Sequence, residues 1–221
     1  MLERIIGLYA PHRCVGCGYE KNTLLCFECR ESMPRVPSRC YRCRSSTRDF
    51  AVCEGCRKAS PLRHVYVATH YDGVAKALLQ QAKYERAQQG MREIAEITLP
   101  LLDNQTDGVV FVPVPTATSR VRQRGYDQAV LLASYLSRCT GRPMRTMLAR
   151  LGQAHQVGAN RHNRIKHLEG AFRLAGRQPI PSHVLLVDDV ATTGVTIETA
   201  ARTLKKVGVR RVDAVVFSQP S

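Results

Sequence analysis

The stretch Val184-Leu-Leu-Val-Asp188-Asp189-Val-Ala191-Thr192-Thr193-Gly194-Val195-Thr196 decides the reading of this chain. Its opening aliphatic run, Val184 to Val187, has the character of a strand buried on both faces. Two acids end that run. A loop of small and hydroxylated residues with one glycine follows, and Thr196 to Val207 then reads as a helix. Ligands of open α/β sheets bind at the carboxyl ends of strands. Loop N–H groups and a helix N-terminus attract anions there, and threonine hydroxyls add donors. Two carboxylates at the same point suit a diol, Mg²⁺, or both. The combination fits a ribose 5-phosphate, with the phosphate in the loop and the hydroxyls on Asp188 and Asp189. Receiver domains and Walker-B segments also end strands in acids. Neither needs Thr-Thr-Gly-x-Thr directly afterwards, and the chain contains no GxxxxGK[ST].

The pattern continues on both sides. Val65 to His70, Val109 to Val114 and Val212 to Phe217 read as further strands. Val74 to Leu79, Met91 to Leu102 and Ala129 to Cys139 read as helices. Strands alternating with helices predict an α/β fold with an open, mostly parallel sheet over residues 61–221.

The first sixty residues follow other rules. Eight of the nine cysteines form four CxxC pairs: Cys14/Cys17, Cys26/Cys29, Cys40/Cys43 and Cys53/Cys56. A CxxC turn aims two thiolates at one point, half of a tetrahedral zinc site. The spacing predicts two structural zincs in a small double zinc-ribbon domain, residues 1–60. The expected sites are sequential, Cys14/Cys17/Cys26/Cys29 and Cys40/Cys43/Cys53/Cys56. A crossed pairing of the first CxxC with the third is the alternative. Gly16, Gly18 and Gly55 suit tight turns between ligands. All ligand positions are cysteine, so no open position remains for catalysis. Long apolar residues are few here, and metal must replace the missing core. A disulfide framework needs an oxidising compartment, and Met1 to Pro11 lacks the pattern of a secretory signal. The ninth cysteine, Cys139, reads as packing at a helix end.

The chain has 221 residues, 44% of them hydrophobic, which supports a core and excludes wholesale disorder. No apolar run reaches the ~20 residues of a membrane span, so a cytoplasmic location is expected. The formal charge of +15 favours an anionic partner. Between Ser119 and Arg173, eleven Arg and Lys stand against two acids.

The 184–196 run closely resembles the phosphoribosyl pyrophosphate (PRPP) motif of type I phosphoribosyltransferases. Phe111-Val-Pro113-Val114-Pro115, the run Arg120, Arg122, Arg124-Gly125-Tyr126-Asp127-Gln128-Ala129, and Gln156-Val-Gly158 with Arg164 and Gly170-Ala-Phe172 resemble the ComF family of competence-associated proteins. Lys83-Tyr84 resembles that family's Lys-Tyr/Phe pair. Asp127 and His167 stand where the family usually has Asn. The resemblance implies a zinc-ribbon head on a phosphoribosyltransferase-like body that binds PRPP with Mg²⁺. It assigns PRPP contacts to Ala191, Thr192, Thr193, Gly194, Val195 and Thr196, with Asp188 and Asp189 orienting the ribose as the catalytic pair. Pro113, Val114, Pro115 and Thr116 would hold pyrophosphate. Arg124, Lys83, Gln156 and Arg164 would complete the site, the last two from a mobile loop spanning 152–173.

Two function classes follow. One is a phosphoribosyltransferase linked to DNA uptake or nucleotide metabolism. The other is a catalytically inactive competence adaptor that binds single-stranded DNA through Arg120, Arg122 and Arg138, with Tyr126 or Tyr135 for stacking, alongside other competence proteins. A PRPP-sensing regulator is a third class, but no helix-turn-helix segment is recognisable.

Overall fold

The computed structural model describes residues 12–21, 23–83, 87–103, 108–151, 170–177 and 179–221. In chain order the elements begin with β1 (His12–Arg13), β2 (Glu20–Lys21), α1 (Phe27–Glu31), α2 (Glu54–Arg57), β3 (Val65–His70) and α3 (Gly73–Lys83). Next come α4 (Ala87–Thr98) with a 3-10 turn (Leu99–Leu102), β4 (Val109–Pro113), α5 (Thr118–Arg124) and α6 (Gln128–Thr140). The chain ends with β5 (Leu148–Arg150), β6 (Phe172–Leu174), β7 (His183–Val190), α7 (Val195–Lys206) and β8 (Arg211–Gln219).

Four strands pair in the order β3-β8-β7-β4, and every pair is parallel. Side chains alternate across a strand, so Val184 and Leu186 enter one apolar cluster while Leu185 and Val187 enter the other. Both faces are covered, which is why the run is uninterrupted aliphatic rather than alternating with polar residues. On the first face lie Ile197, Ala200, Ala201 and Leu204 of α7. On the second lie Leu78 and Leu79 of α3, Ile94 of α4, and Leu132 and Leu136 of α6. The architecture is the expected α/β fold with a parallel sheet.

The cysteine-rich head is built into this core. Cys14, Leu24, Leu25, Cys26 and Met33 pack on the face that carries α3. Val36, Cys40, Tyr41 and Val52 pack on the face that carries α7. Main-chain bonds reinforce the second contact: Val36 N–H donates to Ala68 O at 3.4 Å and Val52 N–H to Arg63 O at 2.8 Å. One half of the head therefore grips each face of the sheet.

Asp213 ties together the starts of three strands. Buried at 2% exposure, it accepts from the His64 N–H at 3.0 Å and from Arg211 Nε at 2.7 Å. It also meets His183 Nε2 at 2.7 Å and His64 Nδ1 at 3.2 Å. Burial pushes its carboxyl up, but His183, His64 and Arg211 outweigh that and hold it well below the usual carboxylate range. A depressed acid contributes stability above its unfolded pKa, and that stability is lost as pH falls toward the folded value. Asp213→Asn is expected to cost about 3–5 kcal/mol at neutral pH. It should also flatten the loss of stability below about pH 4, measured as urea midpoints from pH 7 to pH 2.

Candidate functional site

β7 carries Asp188 and Asp189 near its end, and alternation sends them to opposite sides of the strand. The Asp189 N–H donates to Asp188 Oδ1 and the Val190 N–H to Asp189 Oδ1, both at 2.9 Å. Burial, then the neighbouring charge of Asp189, push the Asp188 carboxyl well above the ordinary carboxylate range. The folded protein therefore holds a half-buried carboxylate beside a like charge. Hydroxyl donors or a cation would relieve it.

Lys83 and Arg150 lie in electrostatic reach of the pair. Burial draws the Lys83 ammonium below its usual value; Asp189 opposes this, while Arg124 and Arg120 add to it. Burial likewise draws Arg150 down, with Arg120 adding to it and Asp188 opposing. Lys83, Arg120, Arg124 and Arg150 thus share one electrostatic neighbourhood with the two acids. Arg150 comes from β5, which pairs antiparallel with β6, and its guanidinium lies 5.5 Å from the centre of the Phe172 ring. No motif in the sequence marks Arg150; only its place in the basic stretch points to it.

The loop after the acids is held at both ends. Ala191 is buried and its N–H donates to Ser218 O at 3.0 Å. Thr192 is exposed, Thr193 and Thr196 are half-buried, and Val195 is buried. Gly194 caps α7 with φ 73°, a left-handed conformation that side chains resist. Glu198 then donates its N–H to Gly194 O at 2.9 Å and opens the helix.

The segment Pro113 to Thr116 runs beside the last part of β7, since the Val114 N–H donates to Val187 O at 2.9 Å. Its other available amide, Thr116 N–H, donates to Asp127 Oδ2 at 2.9 Å, and the Thr116 hydroxyl donates to Oδ1 at 2.9 Å. Both amides are already committed. Asp127 also caps α6, its Oδ1 accepting from the Ala129 N–H at 3.0 Å and the Val130 N–H at 3.5 Å. Every group facing this side chain is a donor, so a carboxylate, which only accepts, satisfies all of them. This accounts for Asp where the resembling family has Asn. Asp127→Asn is expected to lose the Thr116 N–H bond, about 1 kcal/mol. Asp127→Ala should lose cap and loop anchor together, about 2–3 kcal/mol. Thermal melts of the two variants check the order.

Gln156 and Arg164 lie outside the described residues, as do Tyr84, His167 and most of the loop expected over 152–173. Tyr126 donates its hydroxyl to Ala82 O of α3, tying that helix to the site rather than presenting a free ring. Arg124 donates to Gln128 Oε1. Arg120 and Arg122 are exposed on α5. Arg138 is exposed near the far end of α6 and stacks on Tyr135, with 4.5 Å between guanidinium and ring centre. It lies ten residues beyond Gln128, about 15 Å along the helix. The three expected nucleic-acid arginines thus divide between α5 and the far end of α6. Cys139 is exposed and is not part of the packed core.

The eight head cysteines form two groups, Cys14/Cys17/Cys26/Cys29 and Cys40/Cys43/Cys53/Cys56, with all ligand atoms of each group within 4.8 Å of one another. The grouping is sequential, and the crossed alternative is excluded. Burial raises the Cys14 thiol, but the amides of Cys17, Cys26 and Gly16 bring it down to about 6. The Ser45 hydroxyl and amide do the same for Cys43, also to about 6. Four converging sulfurs with amide donors aimed at them are the donor set of a structural zinc site, and both groups fit a double zinc ribbon. The turns repeat. Gly18 N–H donates to Cys14 O at 2.8 Å and Arg44 N–H to Cys40 O at 2.9 Å, and both donors have positive φ. Gly16 is required by space, because a Cβ there would lie 2.6 Å from Cys29 Sγ; Gly55 sits in α2 with open space around it.

The second cysteine turn reaches the acid-loop helix. Tyr41 donates its hydroxyl to Glu198 Oε1 at 2.7 Å and pairs with Ser60 Oγ at 2.9 Å. Arg42 Nε and Arg202 Nη2 approach the same carboxylate at 3.4 and 3.2 Å. Burial, then the charge of Glu198, push the Tyr41 phenol far above its usual range, so it remains a neutral donor. No sequence signal marked these residues.

Among the described residues no helix is long and apolar enough to cross a membrane. Residues 80–220 match the phosphoribosyl transferase domain family. The chain is 30% identical over 216 residues to competence protein F of Haemophilus influenzae, covering 90% of this chain and 93% of that protein. It is 27% identical over 198 residues to competence protein ComFC of Bacillus subtilis, covering 83% and 79%. It is 26% identical over 199 residues to the DNA utilization protein YhgH of Salmonella typhimurium, covering 85% and 87%.

Proposed function

The chain belongs to the ComF family, whose body is a phosphoribosyl transferase domain, and from that premise we propose that it binds PRPP at the end of β7. Asp188 and Asp189 accept hydrogen bonds from the ribose hydroxyls. The 191–196 loop and the N-terminus of α7 receive the 5-phosphate. Lys83, Arg120, Arg124 and Arg150 take the pyrophosphate, because the amides of Val114 and Thr116 are committed elsewhere. The segment 113–116 then lines the site beside the last part of β7. Gln156 and Arg164 add contacts, as the family resemblance implies. The observation that carries this reading is the pair of crowded carboxylates, with Lys83 and Arg150 in electrostatic reach of them, directly ahead of a glycine-turned helix N-terminus.

The acid pair also fits Mg²⁺, which takes one or two carboxylates together with substrate phosphates. When bound, Mg²⁺ would supply positive charge that neutralises the phosphates. The chain's own contribution is positional and electrostatic. The carboxylates fix the sugar, and the cations offset the charge that builds on pyrophosphate as its bond to carbon 1 breaks. Zinc at the two four-cysteine centres has a structural role.

The names of the relatives, competence protein and DNA utilization protein, support a role in DNA uptake or use. A second reading keeps PRPP binding but makes the protein an adaptor for single-stranded DNA. Exposed Arg120 and Arg122 and the Arg138–Tyr135 stack favour it. A pyrophosphate-release screen over nucleobases and amines tests the first reading, and turnover with any acceptor supports it. Fluorescence anisotropy with single strands at several salt concentrations tests the second. Phosphate contacts must weaken steeply with salt, and absence of binding at low salt removes the adaptor.

A further inference from the structure

The two cysteine turns share a backbone but differ in what they carry. Between its ligands the first turn has Val15 and Gly16; the second has Tyr41 and Arg42. Val15 packs against the cluster under α3, remote from α7. Tyr41 and Arg42 instead converge on Glu198, in the first turn of α7. The Tyr41 ring also lies directly on Gly194. A Cβ at that glycine would sit 2.7 Å from Tyr41 Cε2 and 3.0 Å from Cδ2. The ring therefore occupies the space over the residue that turns the loop into the helix. Its hydroxyl fixes the carboxylate one turn further on.

Cys40 is fully buried and Cys43 exposed, so Tyr41 is held in a short loop between an anchored ligand and a surface ligand. A metal joining both sulfurs closes that loop and fixes the rotamer of the residue inside it. Without the metal, the turn that carries the ring is closed by main-chain bonds such as Arg44 N–H to Cys40 O at 2.9 Å. We infer that the second four-cysteine centre is a strut for the phosphate loop, with Tyr41 as a positioning residue that couples metal occupancy at Cys40/Cys43/Cys53/Cys56 to the order of residues 191–198. Among the described residues the first centre packs under α3 and shows no contact with α7. The inference rests on the reading of that loop as a phosphate site, but its structural half stands apart from any ligand.

The experiment compares wild type with Tyr41→Ala, Tyr41→Phe, Cys43→Ser and Cys17→Ser, all in the full chain. Two quantities are read. The first is hydrogen–deuterium exchange of the peptide spanning 191–199; the second is affinity for Mg·PRPP. Zinc content is measured in parallel. Tyr41→Ala should keep two zincs, raise exchange of that peptide by roughly tenfold, and weaken Mg·PRPP by a similar factor. Tyr41→Phe keeps the ring on Gly194 and should show a smaller effect on both. Cys43→Ser should lose one zinc and reproduce Tyr41→Ala. Cys17→Ser should lose one zinc and leave the peptide's exchange and the affinity within about twofold of wild type. Should Cys43→Ser not fold, Tyr41→Ala decides. Unchanged exchange in Tyr41→Ala overturns the inference, and so does an equal response to Cys17→Ser. Wild type that fails to bind Mg·PRPP refutes the proposed function alone, because the exchange comparison still tests the strut.

Discussion

Asp188→Asn and Asp189→Asn are each expected to weaken Mg·PRPP binding by roughly tenfold to a hundredfold while raising the melting temperature. The first effect is the loss of a charge-assisted acceptor for a ribose hydroxyl, about 1.5–3 kcal/mol. The second follows from the ground state. Asp188 is pushed up by burial and by Asp189, so its ionised form destabilises the fold. An amide at either position removes one member of the like-charged pair. Opposite signs for affinity and stability mark residues kept for a ligand rather than for the fold. If both variants bind PRPP as wild type does, the ribose assignment fails.

Removing zinc from the second centre is expected to cost more than any single surface change. Two zincs per chain are expected by elemental analysis, one for each four-cysteine group. Cys40 has no exposed surface and shares a cluster with Val112, Leu186, Ile197 and Leu204. Cys40→Ser would leave a hydroxyl in that cluster and one ligand missing. A loss of about 4 kcal/mol or more is expected, seen as a fall of about 10 °C or more in melting temperature. The loss should reach the sheet, because head and sheet share this cluster. Near-UV circular dichroism would show it as loss of the fixed environment of Tyr41 and Tyr66. A Cys40→Ser protein that keeps two zincs and the wild-type melting temperature contradicts this account of the core.

The elements legible in the sequence were those with long, uniform patterns. β4, β7 and β8 carry aliphatic runs that only a doubly covered sheet can bury, and α6 has an apolar stripe. The cysteine groups were legible because CxxC spacing nearly determines the local geometry. α5 was not, because none of its residues is buried and it shows no apolar period. The β5–β6 hairpin joins three-residue strands, too short for alternation to register. The Tyr41–Glu198 contact joins residues 157 apart, and no spacing rule covers such a distance. The acid pair and its loop were readable as a site. The cations that complete it come from α3, α5 and β5, and only the fold brings Arg150 toward Asp188.

The most direct test is isothermal titration of the zinc-loaded protein with PRPP in the presence of Mg²⁺. The account predicts saturable binding of one PRPP per chain, lost when Asp188 and Asp189 are both replaced by Asn. Absence of binding at millimolar PRPP would contradict it.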